Sequence, residues 1–188
     1  MGDVAAFPNL LDHGNKINLA SGQRPFKEPW LNVDIRDQGY KVDVLADIRS
    51  LPMIKDNSCE VLVAHHCLEH IDMSEVGAVA KEWYRILSPG GKLAVFIPDR
   101  KALIEAWQQG RIDDYIFNVN MYGAFQGHIE DLHRWSYTYE YLEKQMRNNN
   151  EIPWSQVRRI EPWMMSDARY QGAECAFDWW ILATEFTK

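Results

Sequence analysis

The sequence predicts an α/β fold built on a mostly parallel sheet, and three observations carry that expectation. Short apolar, β-branched segments recur along the first hundred residues, an amphipathic helical segment joins two of them, and Gly and Pro mark the junctions. With 188 residues and 46% hydrophobic content, the chain can bury one sizeable core and is short for two. One domain over residues 1–188 is therefore expected.

The elements follow in order. "KINLA" and "WLNVDI" read as buried parallel strands, and "CEVLVAH" and "KLAVFIP" repeat the pattern. Between the last two, "SEVGAVAKEWYRILSPGG" sets Val76, Val79, Ala80, Trp83, Ile86 and Leu87 at helical spacing behind Ser74 as the cap, and Pro89, Gly90 and Gly91 end the helix. Strand, helix, strand makes a right-handed βαβ unit with helices covering the sheet. After Asp99 the texture changes. "KALIEAWQQG" and "DDYIFNVNMYG" are expected to be short helices, "AFQGHIEDLHRWSYT" an aromatic, polar connection, and Thr138 to Arg147 a further helix. "NNNEIPW" breaks the pattern before two closing strands, "VRRIEPW" and "FDWWILATEF". The last is the most apolar stretch and belongs inside the sheet. The expected division is a core over 16–99, a helical lid over 100–150 and closing strands over 151–188.

Composition narrows the function. A net charge of -7 disfavours nucleic acid, since a chain that neutralises phosphates normally shows a basic face. Cys59, Cys67 and Cys175 are odd in number and lack CxxC spacing, which points away from a disulfide framework or structural zinc and toward a reducing, cytoplasmic setting. "MGDVAAFPNLL" lacks the basic start and long apolar run of a signal peptide, and Ala6 stands where a myristoylation motif wants Ser or Thr. No apolar run approaches the roughly 18 residues of a membrane span, so a soluble chain without a membrane partner is expected.

The turn after the first strand has a chemical reading. Ligands in open α/β sheets bind beyond the carboxyl ends of the strands, where small residues such as Ala20, Ser21 and Gly22 let the backbone approach. Asp34, closing the second strand, is placed to accept from ribose hydroxyls. The plain alternative is an ordinary turn and a solvated strand end. GxGxxG is absent and no helix follows to face a pyrophosphate, so a cofactor without one fits better and a nicotinamide oxidoreductase is a distant third reading.

"INLASG", "LNVDI", "VLADIRSLPMIKDNSCEVLVAHHCLEHI" and "EWYRILSPGGKLAVFIPD" together resemble class I S-adenosylmethionine-dependent methyltransferases, in particular a compact, type 11-like group with an asparagine in its first strand. The resemblance runs over about 16–99. It implies a Rossmann-like sheet, mostly parallel with an antiparallel C-terminal strand, and S-adenosylmethionine as cofactor. It places Leu19, Ala20, Ser21 and Gly22 against the methionine part, Asp34 on the ribose with Ile35 beside the adenine, Asp47 and Ile48 at the adenine edge, and His65 at the sulfonium end. The chain departs from the pattern at Ala20, where a glycine is usual, and at Asn18, where an acid is common. Its first βα unit is also shortened: too few residues lie between Gly22 and Leu31, Pro25 and Pro29 among them, for the dozen or more that a helical crossover needs. The lost helix N-terminus would have favoured the cofactor carboxylate by about 0.3 to 1 kcal/mol, and Arg24 or Lys27 could replace it.

A sulfonium methyl is displaced in line, so much of the catalysis is positioning and desolvation. Where the nucleophile is a hydroxyl, an imidazole is the natural proton acceptor. The candidates are His65, His66, His70, His128 and His133. His66 at the cleft mouth and His133 on the covering connection are the expected catalytic pair, whereas His70 is expected to cap or pack the strand-to-helix turn. His65, His66, Glu69 and His70, with Glu130, Asp131 and His133, offer metal-ligand types, but no HExxH spacing is present and a polar cleft without metal is expected. The aromatic residues from Trp107 to Tyr141 form either a stacking wall for a sugar or flat substrate or the packing of the added helices. Trp179 and Trp180 on a strand would face opposite sides, one of them covered by a helix or a partner subunit, which leaves a homo-oligomer open.

Methyl transfer to a small-molecule or saccharide substrate is the reading these residues favour, with a catalytically silent binding module as the alternative. The discriminator is the shortened turn: Pro25 to Pro29 folded across the cofactor slot would favour the silent module.

Overall fold

The computed structural model describes residues 15–173, 175 and 180–188, apart from the side chains of Pro162 and Trp163. The expectations for the N-terminal segment, and for Trp179, lie outside these residues. The elements are β1 (Lys16–Leu19), β2 (Trp30–Asp34), β3 (Val44–Leu45), β4 (Cys59–His65), α1 (Met73–Ile86), β5 (Leu87–Pro98), α2 (Arg100–Gln108), α3 (Asp114–Tyr122), α4 (Tyr139–Met146), β6 (Gln156–Arg159) and β7 (Ile181–Thr187). They form one seven-stranded sheet in the order β3-β2-β1-β4-β5-β7-β6. The first five strands pair in parallel, β7 runs antiparallel to β5, and β6 antiparallel to β7. The expected fold class is what the chain adopts, and the apolar β7 lies inside the sheet as its composition requires.

Four details differ from expectation. α1 stops at Ile86, so Leu87 and the run Pro89, Gly90 and Gly91, expected to end the helix, open β5 instead. The α1 cap is Asp72, not Ser74: the Asp72 carboxylate accepts from the Ser74 backbone N–H at 2.9 Å and also takes the Ser74 hydroxyl, so the helix starts at Met73. β3 spans only two residues, too short to leave an alternating pattern. Trp180 precedes β7 rather than sitting within it.

Alternation along β4 divides the core. Leu62 and Ala64 pack on one face with Ile17, Leu19, Val33 and the α1 residues Val76, Val79, Ala80, Trp83 and Ile86. Val61 and Val63 pack on the other with Phe26, Trp30, Phe96 and Tyr170. On this second face, where a helix between β1 and β2 would lie, the chain uses two substitutes. Phe26 and Trp30 insert from the short connection, and the segment before β7 closes over them, with Trp30 Nε1 donating to the Gln171 carbonyl at 2.8 Å and Lys16 Nζ to the Ala168 carbonyl at 3.0 Å.

Two asparagines pin the connection. Asn32 Oδ1 accepts from the Phe26 N–H at 2.7 Å and from Asn18 Nδ2 at 3.0 Å, while Asn32 Nδ2 donates to the Phe26 carbonyl at 3.0 Å and to Asp43 at 3.0 Å. Asn18 Nδ2 also donates to the Arg24 carbonyl at 3.2 Å. The buried backbone of an irregular segment is thus satisfied by side-chain amides in place of a helical ladder. None of the described helices is long and apolar enough to cross a membrane.

Candidate active site

β1 has β2 on one side and β4 on the other, so chain direction through the sheet reverses there and a crevice opens at the carboxyl ends of the three strands. A cavity of about 780 Å³ occupies it, roofed by residues from Val119 to Arg134. That is ample for a nucleoside-sized ligand with a small second molecule.

The first wall is the turn after β1. Ala20 and Gly22 take φ of +51° and +49°, a left-handed conformation that costs an alanine about 1 kcal/mol, which is why a glycine is usual at that position. The turn is held at both ends: the Ser21 N–H donates to the Val33 carbonyl at 3.0 Å and the Arg24 N–H to the Ser21 carbonyl at 2.9 Å. Ser21 Oγ is buried and has no hydrogen-bond partner, and it lines the cavity. Asp34, 5% exposed, accepts from the Gly22 N–H at 2.8 Å and the Arg36 N–H at 2.9 Å, one bond on each carboxylate oxygen. Each oxygen keeps a further lone pair for a ligand hydroxyl. Ile35 stands beside it with 48% of its surface exposed, an apolar side chain on the cavity wall.

The second wall is the end of β4. Burial, then the neighbouring His66 and Arg24, push the His65 imidazole down to about 4, so this ring is neutral at neutral pH. His66 takes φ of +52° and its Nδ1 lies 2.9 Å from Glu69 Oε1. Glu69 is 1% exposed. Burial raises its carboxyl, but the His66 hydrogen bond and the neighbouring imidazoles of His66, His70 and His133 outweigh that and hold it below the ordinary value. Its second oxygen, Oε2, has no hydrogen-bond partner.

The roof carries His133, whose Nδ1 is 3.0 Å from the Asn120 carbonyl and whose ring meets His70 edge to face at 4.7 Å. Burial lowers its pKa, against the pull of Glu69. The roof is tied down by Arg36 to Asp131 at 3.1 Å and by the Arg134 N–H to the Glu69 carbonyl at 2.7 Å.

Of the residues singled out from sequence, Ala20, Ser21, Gly22, Asp34, Ile35, Asp47, Ile48, His65, His66 and His133 all line this one cavity. Leu19 does not: strand alternation puts it wholly in the core. Asp47 reaches the cavity with both carboxylate oxygens clasped by Arg49, at 2.6 to 3.0 Å. Arg24 lines the cavity and Lys27 does not. His128 is exposed and outside it, and His70, expected only to pack a turn, is inside it. None of the aromatic residues from Trp107 to Tyr141 lines it, so the stacking wall is absent; Tyr137 is buried while Tyr115, Tyr122 and Phe125 face outward. Residues 25–29 stay off the cavity, with Phe26 turned to the opposite face of the sheet. Arg36 was missed by sequence reasoning, and Glu69 was singled out only as one of several metal-ligand types. Glu69 stands in plain view in "LEHI", but only folding reveals its burial.

The family described as "Methyltransferase domain" matches residues 26–95. Over that segment the chain resembles S-adenosylmethionine-dependent methyltransferases. Solved structures agree on the fold at low identity. A SAM-dependent methyltransferase from Archaeoglobus fulgidus is 12% identical over 92% of this chain and 85% of its own, with a TM-score of 0.59. A possible histamine N-methyltransferase from Thermotoga maritima is 18% identical over 98% and 89%, with a TM-score of 0.56. A 1,6-didemethyltoxoflavin-N1-methyltransferase from Burkholderia thailandensis, with its substrate and S-adenosylhomocysteine bound, is 12% identical over 99% and 79%, with a TM-score of 0.51. No curated protein sequence matches the chain. The family match indicates S-adenosylmethionine as cofactor, and the donor set suits it: a carboxylate with spare lone pairs at the end of β2, an orphaned hydroxyl at Ser21 and a cation at Arg24.

Proposed function

We propose that the chain methylates a hydroxyl or comparable nucleophile on a small molecule or saccharide. The observation that carries this reading is that one cavity holds both ends of the required chemistry. Asp34, with Ile35, would hold the ribose and adenine, and Ser21, Gly22 and Arg24 the methionine end, in place of the missing helix N-terminus. The cofactor supplies an activated methyl group. At the other end, the His66 Nδ1–H donates to Glu69, which leaves Nε2 with its lone pair as a proton acceptor. His133, on the roof, would contact the substrate or share that role. The connection over 25–29 packs away from the cavity, which favours an enzyme over the silent module. A small substrate is also supported by the cavity size and by the small heterocycle that the Burkholderia relative binds. Three free cysteines, two of them buried, suit a reducing, cytoplasmic setting.

Calorimetric titration with S-adenosylmethionine and S-adenosylhomocysteine, with NAD as control, tests the cofactor half. Micromolar binding of the first two alone is expected, followed by S-adenosylhomocysteine release when hydroxylated small molecules are screened. No binding of either sulfur compound returns the chain to the silent module.

A further inference from the structure

We propose that Glu69, His70 and His133 form a binding site for one divalent transition-metal ion at the methyl-accepting end of the cavity. Three observations converge on it. First, one ligand atom from each of the three side chains lies within 4.8 Å of the other two. Second, both imidazoles are oriented the same way. His70 Nδ1 faces the Leu132 carbonyl at 3.3 Å and His133 Nδ1 faces the Asn120 carbonyl at 3.0 Å. A carbonyl can only accept, so both Nδ1 atoms carry hydrogen, and each neutral ring presents its lone pair on Nε2. A backbone carbonyl behind the protonated nitrogen is the arrangement that fixes metal-binding histidines. Third, Glu69 is 1% exposed, its Oε1 is held by His66 at 2.9 Å, and Oε2 has no hydrogen-bond partner. A buried carboxylate oxygen left without a donor calls for a cation.

The donor set selects the ion. Two imidazoles and a carboxylate suit zinc, cobalt, iron or manganese and are poor ligands for magnesium or calcium. Ligand atoms about 2.1 Å from an ion are at most about 4.2 Å apart, so three groups within 4.8 Å of one another need at most a small approach. His133 sits on the roof segment, whose tie to β2 is the Arg36–Asp131 pair, and a shift of that segment closes the set. Three protein ligands leave a coordination position open to the cavity. A substrate oxygen bound there would lose its proton more readily, and His66 stands beside it to accept one. That role rests on the methyl-transfer reading, whereas the site itself does not. The spacing H-x-x-E-H from His66 to His70 is that of the inverted zincins, but here it falls on the short turn after β4 and not on an α-helix, and the further histidine comes from a distant loop.

The test uses the full chain, free of any histidine tag and stripped with EDTA. Cobalt(II) is titrated with visible absorption as readout and zinc(II) by calorimetry. One equivalent bound at micromolar or tighter affinity is expected, weakened at least tenfold in both His70→Ala and His133→Ala and unchanged in His128→Ala. Glu69→Gln is expected to weaken it similarly; should that variant not fold by circular dichroism, the two partly exposed histidines decide. Absence of binding, or binding unaltered by both histidine variants, overturns the site. S-adenosylmethionine titrated into the same preparations keeps the two ideas apart: metal binding without cofactor binding preserves the site and defeats the methyl-transfer reading, and the reverse result does the opposite.

Discussion

The backbone N–H of Gly22 donates to Oδ2 of Asp34 at 2.8 Å, tying the turn after β1 to the end of β2. The acid proposed to hold the ribose is therefore also the clasp of the turn proposed to hold the methionine end. Replacing Asp34 with alanine removes charge-assisted hydrogen bonds worth roughly 1.5 to 3 kcal/mol, which is about 10- to 150-fold in affinity. Calorimetry with S-adenosylhomocysteine checks this, and unchanged affinity would remove Asp34 from the site.

Asn18 stands where the family commonly has an acid, and its surroundings explain the exchange. It is 1% exposed, and its Nδ2 donates to two acceptors, the Arg24 carbonyl and Asn32 Oδ1. Asn32 cannot reverse its amide, because it already serves both the N–H and the carbonyl of Phe26. Restoring the usual acid with Asn18→Asp would aim a buried carboxylate at two oxygens. A loss of about 3 kcal/mol in urea-monitored stability is expected, the scale of an uncompensated buried charge. A variant as stable as the parent would show that the amide network does not hold the helixless connection.

Apolar runs made β1, β2, β4 and β5 readable and helical spacing made α1 readable, because each buries a face long enough to repeat, whereas α3 has no fully buried residue and was legible without one. β3 was invisible since two residues cannot alternate visibly. "DMS" offers two capping side chains in three residues, and the choice of Asp72 over Ser74 depends on which one starts the turn, a matter of one residue's backbone angles. At the site, the strand-end residues were legible from their place after apolar runs. The pairing of Arg36 with Asp131, 95 residues away, and the empty second oxygen of Glu69 are tertiary facts that no local pattern encodes.

Behind the sheet, Glu185 is 1% exposed and is met by Lys92 Nζ at 3.3 Å, Arg158 Nε at 2.9 Å and the Tyr170 hydroxyl. Burial raises its carboxyl, but these partners outweigh burial and hold it below its ordinary value of 4.5. A depressed folded value means that the stabilisation is complete above about 4.5 and lost as pH falls from there through the folded value. Urea midpoints measured from pH 7 down to pH 3 should therefore fall more steeply in the parent than in Glu185→Gln. Parallel curves would assign the acid sensitivity to other carboxylates.

Gly123 ends α3 with φ of +81°, and the roof segment passes directly against it. A Cβ there would collide with the Asp131 carbonyl and stand 2.9 Å from the His133 nitrogen, both backbone atoms that cannot swing aside. The His133 N–H donates to the Tyr122 carbonyl at 3.0 Å, so the clash falls on the bond that places His133. Gly123→Ala combines this overpacking, about 1 to 3 kcal/mol, with a strained backbone. The displacement stays local because the roof reaches β2 through the Arg36–Asp131 pair while Asp34 is held by its own turn. Faster amide exchange over residues 123–134 is expected, with S-adenosylhomocysteine affinity within about twofold of the parent and reduced turnover on any accepted substrate. Unchanged exchange would mean that the roof tolerates the methyl group and that Gly123 does not set the position of His133. Lost cofactor affinity would instead mean that the roof supports the adenosine end as well.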